Sequence, residues 1–300
     1  MSKILITGAN GLLGQAVVTI FSRESDFEII ATSVEPELFV DKNNSFTYEQ
    51  LDITVKENIK IIVKKYNPDI IVNCAAFTDV DKSETERELC WKLNVDAVKN
   101  LIIASRISGA KIIHISTDYV FDGKNGPYME DATPNPISFY GRSKLAGENA
   151  LTTSGIDFVI VRTIVLYGIG IKVKSNFALW LIKELSANKQ VNIVTDQTGN
   201  ATISDDLAYG ILKCAELDVY GIYNIAGKDI ISRLEFTYNL CDVFGFDKSL
   251  VNPILTSDLK QPALRPLKSG LITLKAETEF GFKPMDSKEG LRLLKYQMGM

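Results

Sequence analysis

The sequence predicts an α/β protein: a Rossmann-type, doubly wound parallel sheet with a smaller C-terminal lobe. Short apolar runs alternate with helical stretches through the first half of the chain, the pattern of βαβ units. A glycine-rich turn directly follows the first apolar run and opens a helix. The length of 300 residues, with 46% hydrophobic and 23% charged residues, suits a globular chain of two modest units.

The first half divides cleanly into elements. We expect strands over 3–7, 28–32, 69–73, 110–116 and 158–163, and helices over 12–23, 55–66, 86–107 and 140–153. After about residue 165 the alternation loosens and Gly and Pro become more frequent. We therefore expect a dinucleotide-binding domain over 1–165 and a substrate-binding lobe over 166–300. A run near 221–226 is expected to return one more strand to the main sheet.

Composition excludes several classes of function. The 33 basic and 37 acidic residues give a net charge of −4, so we expect no nucleic-acid partner. No apolar run approaches the roughly 20 residues of a membrane span, and the N-terminus lacks a signal-peptide pattern. We therefore expect a cytoplasmic protein without a membrane partner.

Histidine and cysteine are scarce. The four cysteines are scattered without a Cys-x-x-Cys pair, so neither a disulfide framework nor a metal site is expected. The single histidine, His114, lies in an apolar run and is predicted to be a buried structural residue. Histidine-based catalysis is thereby close to excluded.

The glycine-rich turn reads Gly8-Ala9-Asn10-Gly11-Leu12-Leu13-Gly14. In a strand–turn–helix setting, such glycines permit a tight turn and let the backbone approach a pyrophosphate. The free N–H groups of the following helix then bind the phosphates. The sequence therefore predicts a dinucleotide site here, with Gly-x-x-Gly-x-x-Gly spacing.

The end of the second strand bears on the choice of cofactor. An acidic residue there usually binds the ribose hydroxyls of NAD. Here the strand ends at Ser33, which leaves room for a 2′-phosphate, and the nearest acid is Glu35. No arginine stands beside Ser33 to bind that phosphate. We expect NADPH as the cofactor, with NADH tolerated.

Two tyrosine–lysine pairs share one spacing. In Tyr140-Gly141-Arg142-Ser143-Lys144 the phenol and the ammonium lie on one helix face, so the cation is expected to lower the phenol pKa. Tyr209 and Lys213 repeat the spacing, but they follow an acidic segment typical of a helix cap. We therefore predict that Tyr140 is catalytic and that Tyr209 is structural.

These motifs together resemble the extended short-chain dehydrogenases/reductases, and within them the dTDP-4-dehydrorhamnose reductase family. The matching segments are 73–84, 116–123, 140–148, 162–163, 196–199 and 265–269, and the resemblance runs from Lys3 to about Lys275. The segment Ser-Thr-Asp-Tyr-Val-Phe-Asp-Gly at 116–123 is the most specific of them. The resemblance implies hydride transfer from NADPH to the C4 ketone of a nucleotide-linked 6-deoxy-4-ketosugar.

The resemblance also implies roles for individual residues. Thr117, Tyr140 and Lys144 form the catalytic set: Tyr140 protonates the alkoxide, Thr117 binds the same oxygen, and Lys144 holds the nicotinamide ribose. The cofactor set comprises Gly8, Asn10, Gly11, Leu12, Leu13, Gly14, Ser33, Asp52, Ile53, Cys74, Ala75, Ala76, Thr78, Asn94, Tyr140 and Lys144. The substrate set comprises Val80, Thr117, Asp118, Tyr119, Val165, Gln197 and Arg265.

Two members of the cofactor set have alternative interpretations. Asp52 matches an aspartate that contacts adenine in similar proteins, but it could equally cap the helix that starts near Val55. Asn94 matches an asparagine near the proton relay of the superfamily, and its alternative is an ordinary polar helix residue. Cys74 to Ala76 are small residues that let the backbone lie against the cofactor, or that simply pack in the core.

The chain departs from the family pattern at the substrate pocket. Similar reductases have tryptophan where this chain has Val165, and the loss of an aromatic wall leaves the identity of the sugar open. Asn200-Ala201-Thr202 stands where similar chains read x-Pro-Thr. The expected chemistry does not depend on either position.

Two other hypotheses remain. The first is a nucleotide-sugar epimerase or 4,6-dehydratase, but dehydratases of this kind have glutamate where this chain has Tyr119. The second is a non-catalytic subunit like the regulatory subunit of methionine adenosyltransferase, which resembles the same family. The intact Thr117, Tyr140 and Lys144 set argues against it. A monomer and a homodimer are both compatible with the sequence.

Overall fold

The computed structural model describes residues 2–40 and 46–300. Its strands are β1 Lys3–Thr7, β2 Glu28–Ser33, β3 Thr47–Gln50, β4 Ile70–Asn73, β5 Lys111–Thr117, β6 Phe158–Thr163, β7 Leu166–Tyr167, β8 Val191–Val194, β9 Thr198–Gly199, β10 Thr202–Ile203, β11 Gly221–Asn224, β12 Ile231–Ser232 and β13 Val251–Ile254. Its α-helices are α1 Leu12–Glu24, α2 Lys56–Tyr66, α3 Arg87–Trp91, α4 Ala97–Ser108, α5 Phe139–Thr152, α6 Phe177–Ser186, α7 Ser204–Glu216, α8 Arg233–Phe244, α9 Leu274–Phe280 and α10 Ser287–Gln297.

Seven strands form one sheet in the order β11-β6-β5-β4-β1-β2-β3, and every pairing in it is parallel. The strand order reverses beside β1, where β2 lies on one side and β4 on the other. In such doubly wound sheets, ligands bind outside the carboxyl ends of the strands at this reversal. The glycine-rich turn follows β1, and Thr117 ends β5, so both lie at that edge.

The predicted strands and helices of the first half are confirmed, with shifts of one or two residues at their ends. The strand expected near 221–226 also exists: β11 pairs with β6 in the main sheet. Two features differ from the prediction. The helix expected over 86–107 contains a π-helical turn at Lys92–Asp96, and the edge strand β3 was not predicted at all.

Apolar side chains cover both faces of the sheet, as near-continuous apolar strands require. One buried cluster packs β1 and β6 against α1 and α7, and a second packs the other face against α2 and α4. A third cluster, centred on α6, α8 and α10, lies in the C-terminal half. The sheet edge that carries the glycine-rich turn is thus held by helices on both sides.

In residues 2–40 and 46–300, no helix combines the length and the apolar character needed to cross a membrane. All four cysteines are free thiols.

Candidate active site

The glycine-rich turn is a cradle that side chains would fill. Gly8 has φ +67°, and a Cβ on it would lie 2.7 Å from the backbone nitrogen of Ala75. A Cβ on Gly14 would lie 2.1 Å from the carbonyl oxygen of Gly8. Glycine is therefore required at both positions, since Gly8 lies against the backbone of residues 74–75 and Gly14 lies against the backbone of Gly8 itself.

The first turn of α1 opens towards this cradle. Gly11 occupies the N-cap, and within the described chain no side chain caps the helix, which leaves its first N–H groups for an anion. Thr163, at the carboxyl end of β6, has a buried hydroxyl with no hydrogen-bond partner among the described residues. It pairs in register with Thr117 on β5. An open cradle and an unpartnered hydroxyl at one sheet edge fit a bound dinucleotide.

A carboxylate stands at the end of β2. Ser33 donates a 2.5 Å hydrogen bond to Glu35, and Asn10 Nδ2 donates to the same carboxylate oxygen at 3.0 Å. Burial opposes ionisation of Glu35, but these two hydrogen bonds outweigh it and hold its pKa below the ordinary value. The Ser33 hydroxyl proton is therefore engaged by Glu35, and a negative charge is held at the end of β2.

Asp52 and Ile53 follow β3. Asp52 Oδ1 accepts a hydrogen bond from the Thr54 N–H at 2.8 Å, forming a turn before α2, while Val55 is the N-cap. Asp52 is thus not the cap itself, and its contact with adenine remains a prediction. The Ile53 side chain is buried.

Asn94 is a clamp inside the π-helical turn. Its Oδ1 accepts from the Phe77 N–H at 2.9 Å, and its Nδ2 donates to the Phe77 carbonyl at 3.1 Å and to Ser143 Oγ at 2.9 Å. The side chain therefore joins the loop after β4 to helix α5. π-helical turns are frequent at functional sites. Thr78, next to Phe77, is exposed.

Tyr140 and Lys144 lie on the buried face of α5, below the end of β5. Ser138 caps the helix by accepting from the Gly141 N–H at 3.1 Å. Tyr140 is 8% exposed and Lys144 is 2% exposed. The ring of Tyr119, from the turn after β5, meets the Tyr140 ring edge to face with 5.5 Å between centroids. Helix α5 and the end of β5 therefore place the Tyr140 phenol beside the turn that begins at Thr117.

The Lys144 ammonium is bound to the protein. Its Nζ donates to the Ile115 carbonyl at 2.6 Å and lies 3.4 Å from His114 Nε2. The other ring nitrogen of His114 lies 3.0 Å from Asn73 Nδ2, so the predicted structural role of this buried histidine is confirmed. Burial and the Lys144 charge both lower the pKa of His114 well below the ordinary value, and the ring is neutral.

The prediction that Lys144 lowers the pKa of Tyr140 is wrong for this structure. Burial raises the pKa of Tyr140, and the Asp118 charge raises it further, while the Thr117 hydroxyl opposes both. Burial also lowers the pKa of Lys144 to about 8. The phenol therefore keeps its proton at neutral pH, which is the form that an acid catalyst needs.

A buried ion pair locks α5 to the sheet. Arg162 on β6 forms two hydrogen bonds to Glu148, at 3.1 Å from Nε and 2.7 Å from Nη2, and both side chains are 2% exposed. Ser116 on β5 donates to Glu148 at 2.5 Å, and Arg162 Nη1 donates to the Glu130 carbonyl at 3.1 Å. Since Glu148 lies one turn after Lys144, the pair fixes helix α5 against both strands.

A cavity opens between the turn after β5 and the C-terminal half. Four residues of the predicted substrate set line it: Asp118, Tyr119, Val165 and Gln197. Val165 has φ +48°, a left-handed conformation that a β-branched residue adopts only under strain. Such strain is typical of functional sites.

Asp118 is a buried acid in this cavity. Its Oδ1 accepts from Thr117 at 3.0 Å, and its Oδ2 accepts from Ser269. Burial raises its pKa to about 6, although both hydroxyl donors act in the opposite direction.

The other three residues of the predicted substrate set, Val80, Thr117 and Arg265, do not line this cavity. Arg265 precedes Pro266, which lines the cavity, and it donates to Asp81 at 2.7 Å. Asp81 also accepts from the Ala263 N–H at 3.2 Å, so Asp81 ties the loop after β4 to the C-terminal half. Val80 belongs to that same loop and is partly buried.

The sequence interpretation missed Arg233, the first residue of α8. Arg233 lines the cavity beside Val165, and its backbone N–H donates to the Gln197 carbonyl at 3.0 Å. A signal was available: Ser232 and Glu235 form a capping box, which marks the helix start and places Arg233 at its first turn. That Arg233 lines the cavity could not be predicted from sequence, because most of the other lining residues lie far from it in the chain.

The fold and the site define a dinucleotide-dependent oxidoreductase of the short-chain dehydrogenase/reductase type. Residues 2–298 match the family model described as the RmlD substrate binding domain. The chain belongs to this family, that of the dTDP-4-dehydrorhamnose reductases.

Full-length relatives and solved structures agree with the match. A dTDP-4-dehydrorhamnose reductase from Aggregatibacter actinomycetemcomitans is 32% identical, covering 97% of this chain and 98% of its own. The crystal structure of a reductase of that name from Clostridium acetobutylicum is 35% identical, covers 100% of both chains and superposes with a TM-score of 0.89. The structure of the Bacillus anthracis reductase in complex with NADP is 32% identical, with a TM-score of 0.86 over 99% of this chain and 100% of that one.

Proposed function

We propose that this protein reduces the C4 ketone of a nucleotide-linked 6-deoxy-4-ketosugar with NADPH, with dTDP-4-dehydro-L-rhamnose as the substrate and dTDP-L-rhamnose as the product. The observation that carries the proposal is the meeting of three features at one sheet edge. They are the glycine cradle after β1, the buried Tyr140 and Lys144 below the end of β5, and the cavity that begins at Asp118. The named relatives act as reductases of this type.

The residues of the chain have distinct tasks in this reaction. NADPH, when bound, supplies the hydride. The cradle at Gly8 to Gly14 and the first turn of α1 hold the diphosphate of the cofactor. The neutral Tyr140 phenol donates its proton to the alkoxide oxygen, and the Thr117 hydroxyl hydrogen-bonds that oxygen. Lys144 holds the nicotinamide ribose with its ammonium group.

The C-terminal part, residues 166–300, supplies the opposite wall of the cavity in this proposal. Gln197 and the start of α8 face Asp118 and Tyr119 across it. The ion pair of Asp81 and Arg265, in which Arg265 is only 11% exposed, joins the loop after β4 to the C-terminal part. We assign this part to substrate binding and residues 1–165 to the cofactor.

The first test measures oxidation of NADPH with enzymatically generated dTDP-4-dehydro-L-rhamnose, with NADH in parallel. We expect turnover with the wild type and not with the Tyr140→Phe variant. Binding of NADPH without turnover on any 4-ketosugar would contradict the reductase assignment. That result, together with a stable complex with methionine adenosyltransferase, would favour the regulatory-subunit hypothesis. Protein purified with tightly bound NAD would favour an epimerase.

Glu35 provides a test of the cofactor preference. The negative charge at the end of β2 suits the ribose hydroxyls of NADH and opposes a 2′-phosphate, so in this proposal the protein uses NADPH despite that charge and tolerates NADH. Glu35→Gln removes the charge at similar size, so we expect the ratio of kcat/KM with NADPH to that with NADH to rise at least about tenfold. Glu37→Gln, an exposed neighbour, is the matched control. An unchanged ratio in Glu35→Gln would show that Glu35 does not read the ribose.

A further inference from the structure

The cavity wall contains a cation, Arg233, with a buried nitrogen whose hydrogen-bond donors are unused. Arg233 Nη1 is shielded from solvent, and no atom in residues 2–40 or 46–300 accepts a hydrogen bond from it. An unpaired buried donor on a charged group is unfavourable by several kcal/mol unless a ligand satisfies it. This atom therefore points to an anionic group that is not part of the chain.

The protein fixes the orientation of the guanidinium. One face of Arg233 lies over the Phe177 ring, with 4.7 Å from Cζ to the ring centroid. The backbone N–H of Arg233 is bound to Gln197, and the capping box of Ser232 and Glu235 fixes the start of α8. Because one face of the guanidinium is covered by Phe177 and the backbone of Arg233 is anchored, the N–H groups at the edge of the guanidinium are the part that a ligand can contact.

The Asp118 carboxylate does not satisfy Arg233. Asp118 also lines the cavity; burial lowers the pKa of Arg233, and the negative charge of Asp118 acts to raise it. The two oxygens of Asp118, however, accept hydrogen bonds from Thr117 and Ser269. The second cation nearby, Arg265, is already ion-paired with Asp81. Arg233 is thus the cation of this wall with free donors among the described residues.

We propose that Arg233 binds the diphosphate that links nucleoside and sugar in the substrate. The start of α8 would then recognise the phosphate groups of a nucleotide-sugar. The fork of N–H donors on arginine matches phosphate oxygens in pairs, which a lysine ammonium cannot do. Arg233 and Val165 line the same cavity. This inference rests on the proposed function for the class of substrate.

The experiment measures equilibrium binding, without turnover, for the wild type and the variants Arg233→Met and Arg233→Lys. The probes are dTDP, thymidine, dTDP-glucose and dTDP-glucuronate, with NADPH measured separately. We expect Arg233→Met to weaken binding of dTDP and of dTDP-glucose by about 10- to 100-fold, and to change thymidine binding by less than about threefold. Arg233→Lys should lose less, since it keeps the charge. Arg292→Met, which removes an exposed arginine from α10, should bind all probes as the wild type does.

Three results would overturn the inference. The first is an equal loss for dTDP and thymidine in Arg233→Met. The second is a loss confined to dTDP-glucuronate, which would place the anion on the sugar instead. The third is a wild type that does not bind dTDP, which would also remove the nucleotide-sugar class of substrate. Thermal melting and unchanged NADPH affinity check that each variant is folded, and Arg233→Lys keeps the test open if Arg233→Met does not fold. Tight dTDP binding without reduction of a 4-ketosugar would contradict the proposed function and leave this inference standing.

Discussion

The chain contains the spacing Tyr-x-x-x-Lys twice, and the two copies occupy opposite environments. In α5, Tyr140 is 8% exposed and Lys144 is 2% exposed. In α7, Tyr209 is 43% exposed, and Lys213 lies over its ring with 5.2 Å between Nζ and the centroid. The spacing alone therefore places a phenol and an ammonium on one helix face, but it does not decide what they do.

The surroundings also reverse the electrostatics of the two lysines. Burial lowers the pKa of Lys144 to about 8. In α7 the Glu216 carboxylate, 2.7 Å from Nζ, raises the pKa of Lys213. A titratable group near neutral pH thus exists only in the α5 pair, at the carboxyl end of the sheet where ligands bind.

The largest expected difference between the pairs is in turnover. Tyr140→Phe keeps the ring and removes the proton that the alkoxide receives, so we expect kcat to fall by about 10²- to 10⁴-fold. The measurement is the rate of NADPH oxidation at saturating ketosugar, with NADPH affinity as the check on folding. Turnover near the wild-type value would remove Tyr140 from the role of acid.

Glu148 and Glu216, the acids that follow the two Tyr-x-x-x-Lys pairs, are expected to differ in their contribution to the free energy of unfolding. Glu148→Gln leaves the Arg162 guanidinium without a counter-charge in a site where both side chains are 2% exposed. We expect a loss of about 3–5 kcal/mol in the free energy of unfolding, measured by urea denaturation. Glu216→Gln breaks an exposed pair and should change it by only about 0.2–1 kcal/mol. Equal losses in the two variants would contradict the assignment of Glu148 as the lock on α5.

The two lysines should also differ in their pH dependence. Lys144 is charged below its pKa of about 8 and neutral above it, so NADPH affinity should weaken by about tenfold for each pH unit above that value. Lys144→Arg stays charged throughout this range, and its affinity for NADPH should therefore be flat between about pH 7 and pH 10. Lys213→Arg should keep the decline of the wild type. A decline that persists in Lys144→Arg would assign the titration to another group.

The elements that could be predicted from sequence are those with a local signal. β1, α1 and β6 have apolar runs or periodic apolar residues, and their predicted limits are confirmed to within a residue. The edge strand β3 has the sequence Thr-Tyr-Glu-Gln, whose side chains are all partly or fully exposed, so no apolar pattern announces it. The π-helical turn at Lys92–Asp96 likewise has no local sequence signal, because Asn94 makes its contacts with Phe77 and Ser143, which lie outside that helix.

The residues of the site also divide into those with a local sequence signal and those that depend on tertiary packing. The glycine cradle and Tyr140 could be read from motifs, because each motif is contiguous in the sequence. The direction of the Tyr140 pKa could not, because the binding of Lys144 Nζ by Ile115 and the burial of the phenol depend on tertiary packing. Arg233 and Val165 line one cavity although they lie far apart in the sequence, so neither predicts the other from sequence.

The smallest expected effect belongs to the α7 pair. Tyr209→Phe and Lys213→Met alter side chains on the outer face of a helix whose other face, including Leu207 and Ile211, packs in the core. We expect turnover to stay within about twofold of the wild type and the free energy of unfolding to change by about 0.5 kcal/mol or less, as for ordinary surface substitutions. Both are measured beside Tyr140→Phe under the same conditions. A loss of turnover in Tyr209→Phe approaching that of Tyr140→Phe would mean that burial at the sheet edge does not distinguish the catalytic pair. Both the role of Tyr140 and the position of the site would then have to be reassigned.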